Sequence, residues 1–217
     1  LISDIKSMYA TILYVSEDEL MVDLEQGSVI INISVVEPPV VAPICFPAGT
    51  PVNTDQGIIC IEKLNPSKHT VDGKEIVAIT QSRPIFEEIV SIKKNALSKN
   101  VPSQTTEISK EHMVCYKNKM TKACELVKIC DGVDFIPYSG EILYNVLLKE
   151  HSLMMINNMK CETLHPENIM AKIYTSKCDK SDKQLLLKQL SKIIKNEDIY
   201  GYIKLHGSVK YLQCSMK

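Results

Sequence analysis

The sequence predicts an all-β domain followed by a tail that contains one helix, and three observations carry that reading. Short β-branched or apolar runs recur through the middle of the chain, at 58–62, 75–80, 86–93, 112–117, 133–136, 141–149 and 151–156. Turn-forming clusters separate them, among them Asn65-Pro66-Ser67, Val71-Asp72-Gly73, Ser82-Arg83-Pro84 and Asp131-Gly132. Runs this short suit strands better than helices, which need more residues to show their period. Only near the end does the period change. Leu186, Leu190, Ile193 and Ile194 form a stripe at helical spacing behind the capping box Ser181-Asp182-Lys183-Gln184, which predicts a core-packing helix over 182–197.

Taken in order, the chain first shows apolar runs at Thr11–Val15, Glu19–Leu24 and Ser28–Val36, with Glu25-Gln26-Gly27 as the turn between the last two. Two paired strands are marginal in water, so residues 1–36 read as the end of a larger upstream domain. Because the chain starts at Leu1 rather than Met, it reads as a fragment. Pro38, Pro39 and Pro43 then remove three amide donors and hold the backbone extended, which makes 37–43 a boundary. The polar stretch Asn95–Gln104, with Pro102, reads as an exposed loop, and Tyr200–Leu212 as one more strand pair.

At 217 residues and 45% hydrophobic, the chain can bury a sizeable core. Its 25 basic and 26 acidic residues leave a net charge of -1, with no electrostatic footprint for nucleic acid or an anionic membrane. No apolar run is long enough to span a bilayer, and the first residues lack the order of a signal peptide. The eight cysteines show no C-x-x-C spacing, which argues against a zinc ribbon. An even count permits disulfides, yet Cys60 inside Ile58-Ile59-Cys60-Ile61 reads as a reduced, buried thiol. Neither a metal nor a cofactor is expected.

Three blocks carry chemistry. The first is Ile44-Cys45-Phe46-Pro47-Ala48-Gly49-Thr50-Pro51-Val52, continued by Gly57–Leu64; the second is Ser109-Lys110-Glu111-His112-Met113-Val114; the third is Glu141–Leu148. In this order they resemble the Hint domains, the autoprocessing modules shared by hedgehog proteins and inteins, and they look closer to the hedgehog branch. The resemblance implies a horseshoe of short antiparallel strands with pseudo-two-fold symmetry. It also implies self-cleavage, in which the Cys45 thiol attacks the Ile44 carbonyl and replaces an amide by a thioester.

Since an amide nitrogen is a poor leaving group, a proton donor must stand beside it. The resemblance gives that role to His112, with Ser109 in the place of the usual threonine. Cys161, Thr163 and His165 are further candidates, because the last strand of such a domain returns next to the first cysteine. Their plainer reading is strand packing, with His165 at a turn; that of Cys45 is a small buried hydrophobe.

The chain also departs from the family. Splicing needs a terminal asparagine followed by Cys, Ser or Thr, but His165 precedes Pro166 and Asn168 precedes Ile169, so splicing is disfavoured. Around Lys93-Lys94-Asn95-Ala96 no aspartate matches the hedgehog general base, which speaks against sterol transfer and leaves the nucleophile open among water, thiol, sterol and amine. The expected organisation is 1–44 as the end of a passenger with its linker, 45–173 as the Hint-like domain and 174–217 as an extension with one helix. Its partners would be its own passenger segment and a small nucleophile or water. The competing reading is an inactive Hint-like module serving structure or protein interaction, and metal binding through His112 and Cys115 ranks last.

Overall fold

The computed structural model describes residues 20–24, 31–35, 44–84, 87–195 and 205. Two compact units divide the chain, one of residues 42–175 and one of residues 1–41 with 176–217.

In the second of these, β1 (Leu20–Leu24) pairs antiparallel with β2 (Ile31–Val35), Leu24 lying opposite Ile31. The expected strand at Thr11–Val15, the turn at 25–27 and the strand pair at 200–212 fall on residues outside the described ones, apart from Leu205. The helix of this unit runs Lys180–Lys195, two residues ahead of expectation. The reason is its cap: the Asp179 carboxylate accepts the Asp182 N–H at 2.9 Å and the Ser181 hydroxyl at 2.6 Å, so Ser181 lies inside the helix and the expected capping box is not formed.

The unit 42–175 is built of antiparallel β-structure. Its strands are β3 (Phe46–Pro47), β4 (Pro51–Thr54), β5 (Gly57–Cys60), β6 (Thr70–Val71), β7 (Lys74–Ser82), β8 (Glu88–Ile92) and β9 (Thr106–Ile108). After them come β10 (Met113–Tyr116), β11 (Lys119–Lys122), β12 (Val133–Pro137), β13 (Leu143–Leu148), β14 (Leu153–Ile156) and β15 (Met159–Glu162). They form sheets of six strands (β11-β10-β15-β14-β4-β5), four (β3-β13-β7-β6) and three (β12-β8-β9). Two short helices complete the unit, α1 (Ala123–Leu126) and α2 (Ile169–Thr175); the helix at Lys180–Lys195 is α3.

Of the four hairpins that turn on two residues among the described ones, three do so on Asp72-Gly73, Lys117-Asn118 and Asn157-Asn158. All six have positive φ, the geometry whose twist matches that of the flanking strands. Asn157-Asn158 explains why β15 exists at all, since it folds Met159–Glu162 back onto β14 from a stretch whose sequence alternates weakly. The expected loop at 95–104 is a tight turn, closed by the Leu97 N–H on the Val101 carbonyl at 3.0 Å, with Pro102 buried.

Phe46, Val52, Ile61, Val90, Ile92, Ile108, Val114, Val146, Leu148, Met154 and Ile156 form the core. Burial of each such side chain stabilises by about 1.5–3 kcal/mol. In β13 five of six residues are buried, so its sequence reads as a continuous apolar run broken only by Asn145.

Candidate functional site

Everything around the Ile44–Cys45 peptide follows from where β3 sits. Its two residues pair with one edge of β13, Phe46 opposite Tyr144 and Pro47 opposite Leu143, which leaves the preceding residues lying along the same strand. Cys45 is 1% and Ile44 8% exposed. A buried peptide must find partners for both its polar groups, and here it finds side chains. The Ile44 carbonyl accepts the Asn145 Nδ2–H at 2.6 Å, and the Cys45 N–H donates to the Ser109 hydroxyl at 2.8 Å. Asn145 itself is held by its other end, its Oδ1 accepting the Val146 N–H at 2.7 Å, which directs its NH2 toward Ile44.

Ser109 and His112 lie in the connection between β9 and β10. The His112 N–H donates to the Ser109 carbonyl at 3.2 Å, closing a turn that sets the Ser109 hydroxyl on the Cys45 amide and the His112 ring against Phe46. The turn is pinned on both sides: Ser109 N–H to the Cys45 carbonyl at 3.0 Å, and Ala123 N–H of α1 to the His112 carbonyl at 2.9 Å.

The His112 ring is fully buried and tilted against Phe46, with ring centres 4.4 Å apart. Its Nε2 lies 2.9 Å from the Glu162 carbonyl, while Nδ1 is buried without a hydrogen-bond partner. Because a carbonyl oxygen only accepts, Nε2 carries the hydrogen and Nδ1 a bare lone pair. Burial pulls the ring's pKa down from 6.5 to about 4, against the opposing pull of the Glu162 carbonyl and the Cys45 backbone beside it. The ring is therefore neutral at neutral pH. Burial likewise pushes the Cys45 thiol up to about 12, with the Ser82 hydroxyl 3.3 Å from the sulfur pulling weakly the other way. A proton acceptor is thus required before this thiol can attack.

The other three candidates lie at different places. Cys161 is fully buried in the core opposite Val114, its sulfur 3.9 Å from the Met159 carbonyl. Thr163 is also buried and closes a link to Ser152, accepting its N–H at 3.0 Å and donating to its carbonyl at 3.1 Å. His165 is exposed, accepts the Glu167 N–H at 3.1 Å and lies tilted against His151, ring centres 5.0 Å apart. No contact joins any of them to Cys45 among the described interactions. Asn168, the last asparagine of the domain, accepts the Met170 N–H with its side-chain oxygen at 2.9 Å at the start of α2.

Asn145, Ser82 and Glu162 were not singled out from the sequence. Asn145 had a signal, being the lone polar residue in Leu143-Tyr144-Asn145-Val146-Leu147-Leu148. Ser82 had none. Among the described residues no cluster of three or more His, Cys, Asp or Glu side chains fits a metal ion, and no helix is long and apolar enough to cross a membrane.

Comparison with known families bears directly on these blocks. The family model of the Hint domain matches residues 44–168, more than half of the chain, and the chain belongs to that family. No curated protein matches it.

Proposed function

We propose that this chain is a self-cleaving Hint domain, of the hedgehog rather than the splicing type, that releases residues 1–44 as a passenger. The Cys45 sulfur attacks the Ile44 carbonyl carbon while its proton passes to Nδ1 of His112. The carbonyl oxygen becomes an oxyanion facing the Asn145 amide, a donor already aimed at it. Collapse expels the Cys45 nitrogen, which keeps its bond to Ser109 and takes the proton back from the imidazolium. An Ile44 thioester on Cys45 and a free Cys45 amine result. Water or an external nucleophile then attacks the thioester, frees the passenger and restores the thiol. In this reading 45–173 is the processing domain and 174–217 an extension.

The observation that carries this reading is that both polar groups of one buried peptide bond are held by side chains, while the ring of His112, whose Nδ1 has no hydrogen-bond partner, packs on Phe46, the next residue in the chain. The hedgehog-type assignment draws on Asn168, which caps a helix and precedes Ile169. The test is intact mass over time, with and without dithiothreitol or hydroxylamine. Wild type should break at Ile44–Cys45 faster as nucleophile is added, Cys45→Ala should stay whole, and His112→Ala should lose about 10²–10⁴ in rate. A wild-type chain that stays whole at every nucleophile concentration means an inactive Hint-like module.

A further inference from the structure

We infer that Glu162 is a positioning residue that sets the tautomer of His112, gripping residues 112 and 113 from both ends of itself. Its main-chain carbonyl accepts the His112 Nε2–H at 2.9 Å, and its carboxylate accepts the Met113 N–H at 2.9 Å. Backbone pairing between β10 and β15 is confined to Val114 opposite Cys161. One residue beyond that pair, the carboxylate stands in as acceptor for the Met113 amide, and the Glu162 carbonyl serves the imidazole.

The side chain is 12% exposed, and its second oxygen lies 3.5 Å from Nε2 of His151, whose ring is tilted against His165. Without the carboxylate the partly buried Met113 amide loses that acceptor and the end of β15 loses one of its ties to β10. The carbonyl then no longer holds Nε2, and the ring proton distributes between both nitrogens. A proton on Nδ1 removes the lone pair to which the proposed reaction passes the thiol proton.

The effect on rate rests on the self-cleavage reading, but the grip itself is read on the ring. The full-length chain carrying Cys45→Ala, which holds the precursor intact, is prepared with isotope-labelled histidine nitrogens. Its His112 signals should show one tautomer, with the hydrogen on Nε2. Glu162→Ala should give a mixture, and in the Cys45-bearing chain should slow thiol-triggered cleavage by about tenfold or more. Glu162→Gln should restore both, because its amide oxygen still accepts the Met113 N–H. If Glu162→Ala fails to fold, Glu162→Asp, which keeps the charge on a shorter arm, must give the mixture instead. A single Nε2–H tautomer in the Ala or Asp variant overturns the inference, as does a Gln variant as mixed as the Ala variant. A chain that never cleaves, but whose ring signals follow this order, sinks the self-cleavage reading and leaves the grip standing.

Discussion

Cys45 and Cys161 share nearly every property of the thiol itself and almost none of the surroundings that matter. Both are buried, and burial raises the pKa of both. Cys161 sits among apolar core neighbours with its sulfur 3.9 Å from one carbonyl. Cys45 sits behind a peptide whose carbonyl and amide are each held by a side chain. In the proposed reaction the nucleophile is distinguished by the bond next to it, whose polar groups are turned toward Asn145 and Ser109.

The sharpest way to break this comparison is to remove the grip and keep the thiol. Asn145→Ala leaves Cys45 in place and takes away the donor on the Ile44 oxygen. A loss of about 10²–10³ in thiol-triggered cleavage rate is expected, the usual scale for one oxyanion donor. A rate within a few-fold of wild type, measured by intact mass, would mean that the hydrogen bond is structural.

The second prediction concerns pH. His112 has a folded pKa of about 4 against 6.5 for the free side chain, so between those values the unfolded chain binds a proton that the native chain refuses. Stability contributed by the neutral ring is thus present above pH 6.5 and lost as pH falls through 4, by roughly 3 kcal/mol at most. Urea unfolding of the Cys45→Ala chain across this window should show the decline, and His112→Gln should flatten it. An unchanged slope in His112→Gln assigns the decline to other groups.

The smallest effects are expected on the other side of the comparison. Cys161→Ala should cost about 1–2 kcal/mol by leaving a small void, while cleavage proceeds at the wild-type rate under stabilising conditions. His165→Ala, at an exposed site, should change neither by more than about 0.5 kcal/mol. Loss of cleavage in a folded Cys161→Ala chain would put that thiol back among the reacting groups.

Much of the fold was legible because its central strands are written in apolar and β-branched residues, as in β7, β8 and β13. What escaped was structure imposed from outside the segment. Lys119–Lys122 is a strand because a two-residue turn lays it against β10. Helix α2 was not foreseen from its seven residues, and α3 began early because Asp179 caps ahead of the Ser181 motif.

At the site, Cys45, Ser109 and His112 came from the family resemblance, which also nominated Cys161, Thr163 and His165. Those three are alternate residues, and the intervening Glu162 is the one that reaches His112. Side chains on a strand point alternately to opposite faces, so a choice made by residue type passed over the member whose backbone does the work. Asn145 could have been read from polarity in an apolar run. Ser82 could be found only by knowing that β7 ends beside β3's lead-in.

The closure over residue 44 also governs timing. With Cys45 1% and Ile44 8% exposed, a reagent in solution would meet the acyl group of the proposed reaction only during moments when the surrounding chain parts, so the release rate would be the fraction of time spent open multiplied by the speed of capture within it. Such a gate sorts reagents by bulk before it sorts them by reactivity. Of two equally reactive thiols the slimmer should win, and a protease able to cut the same sequence in a free peptide should be kept out by the same door.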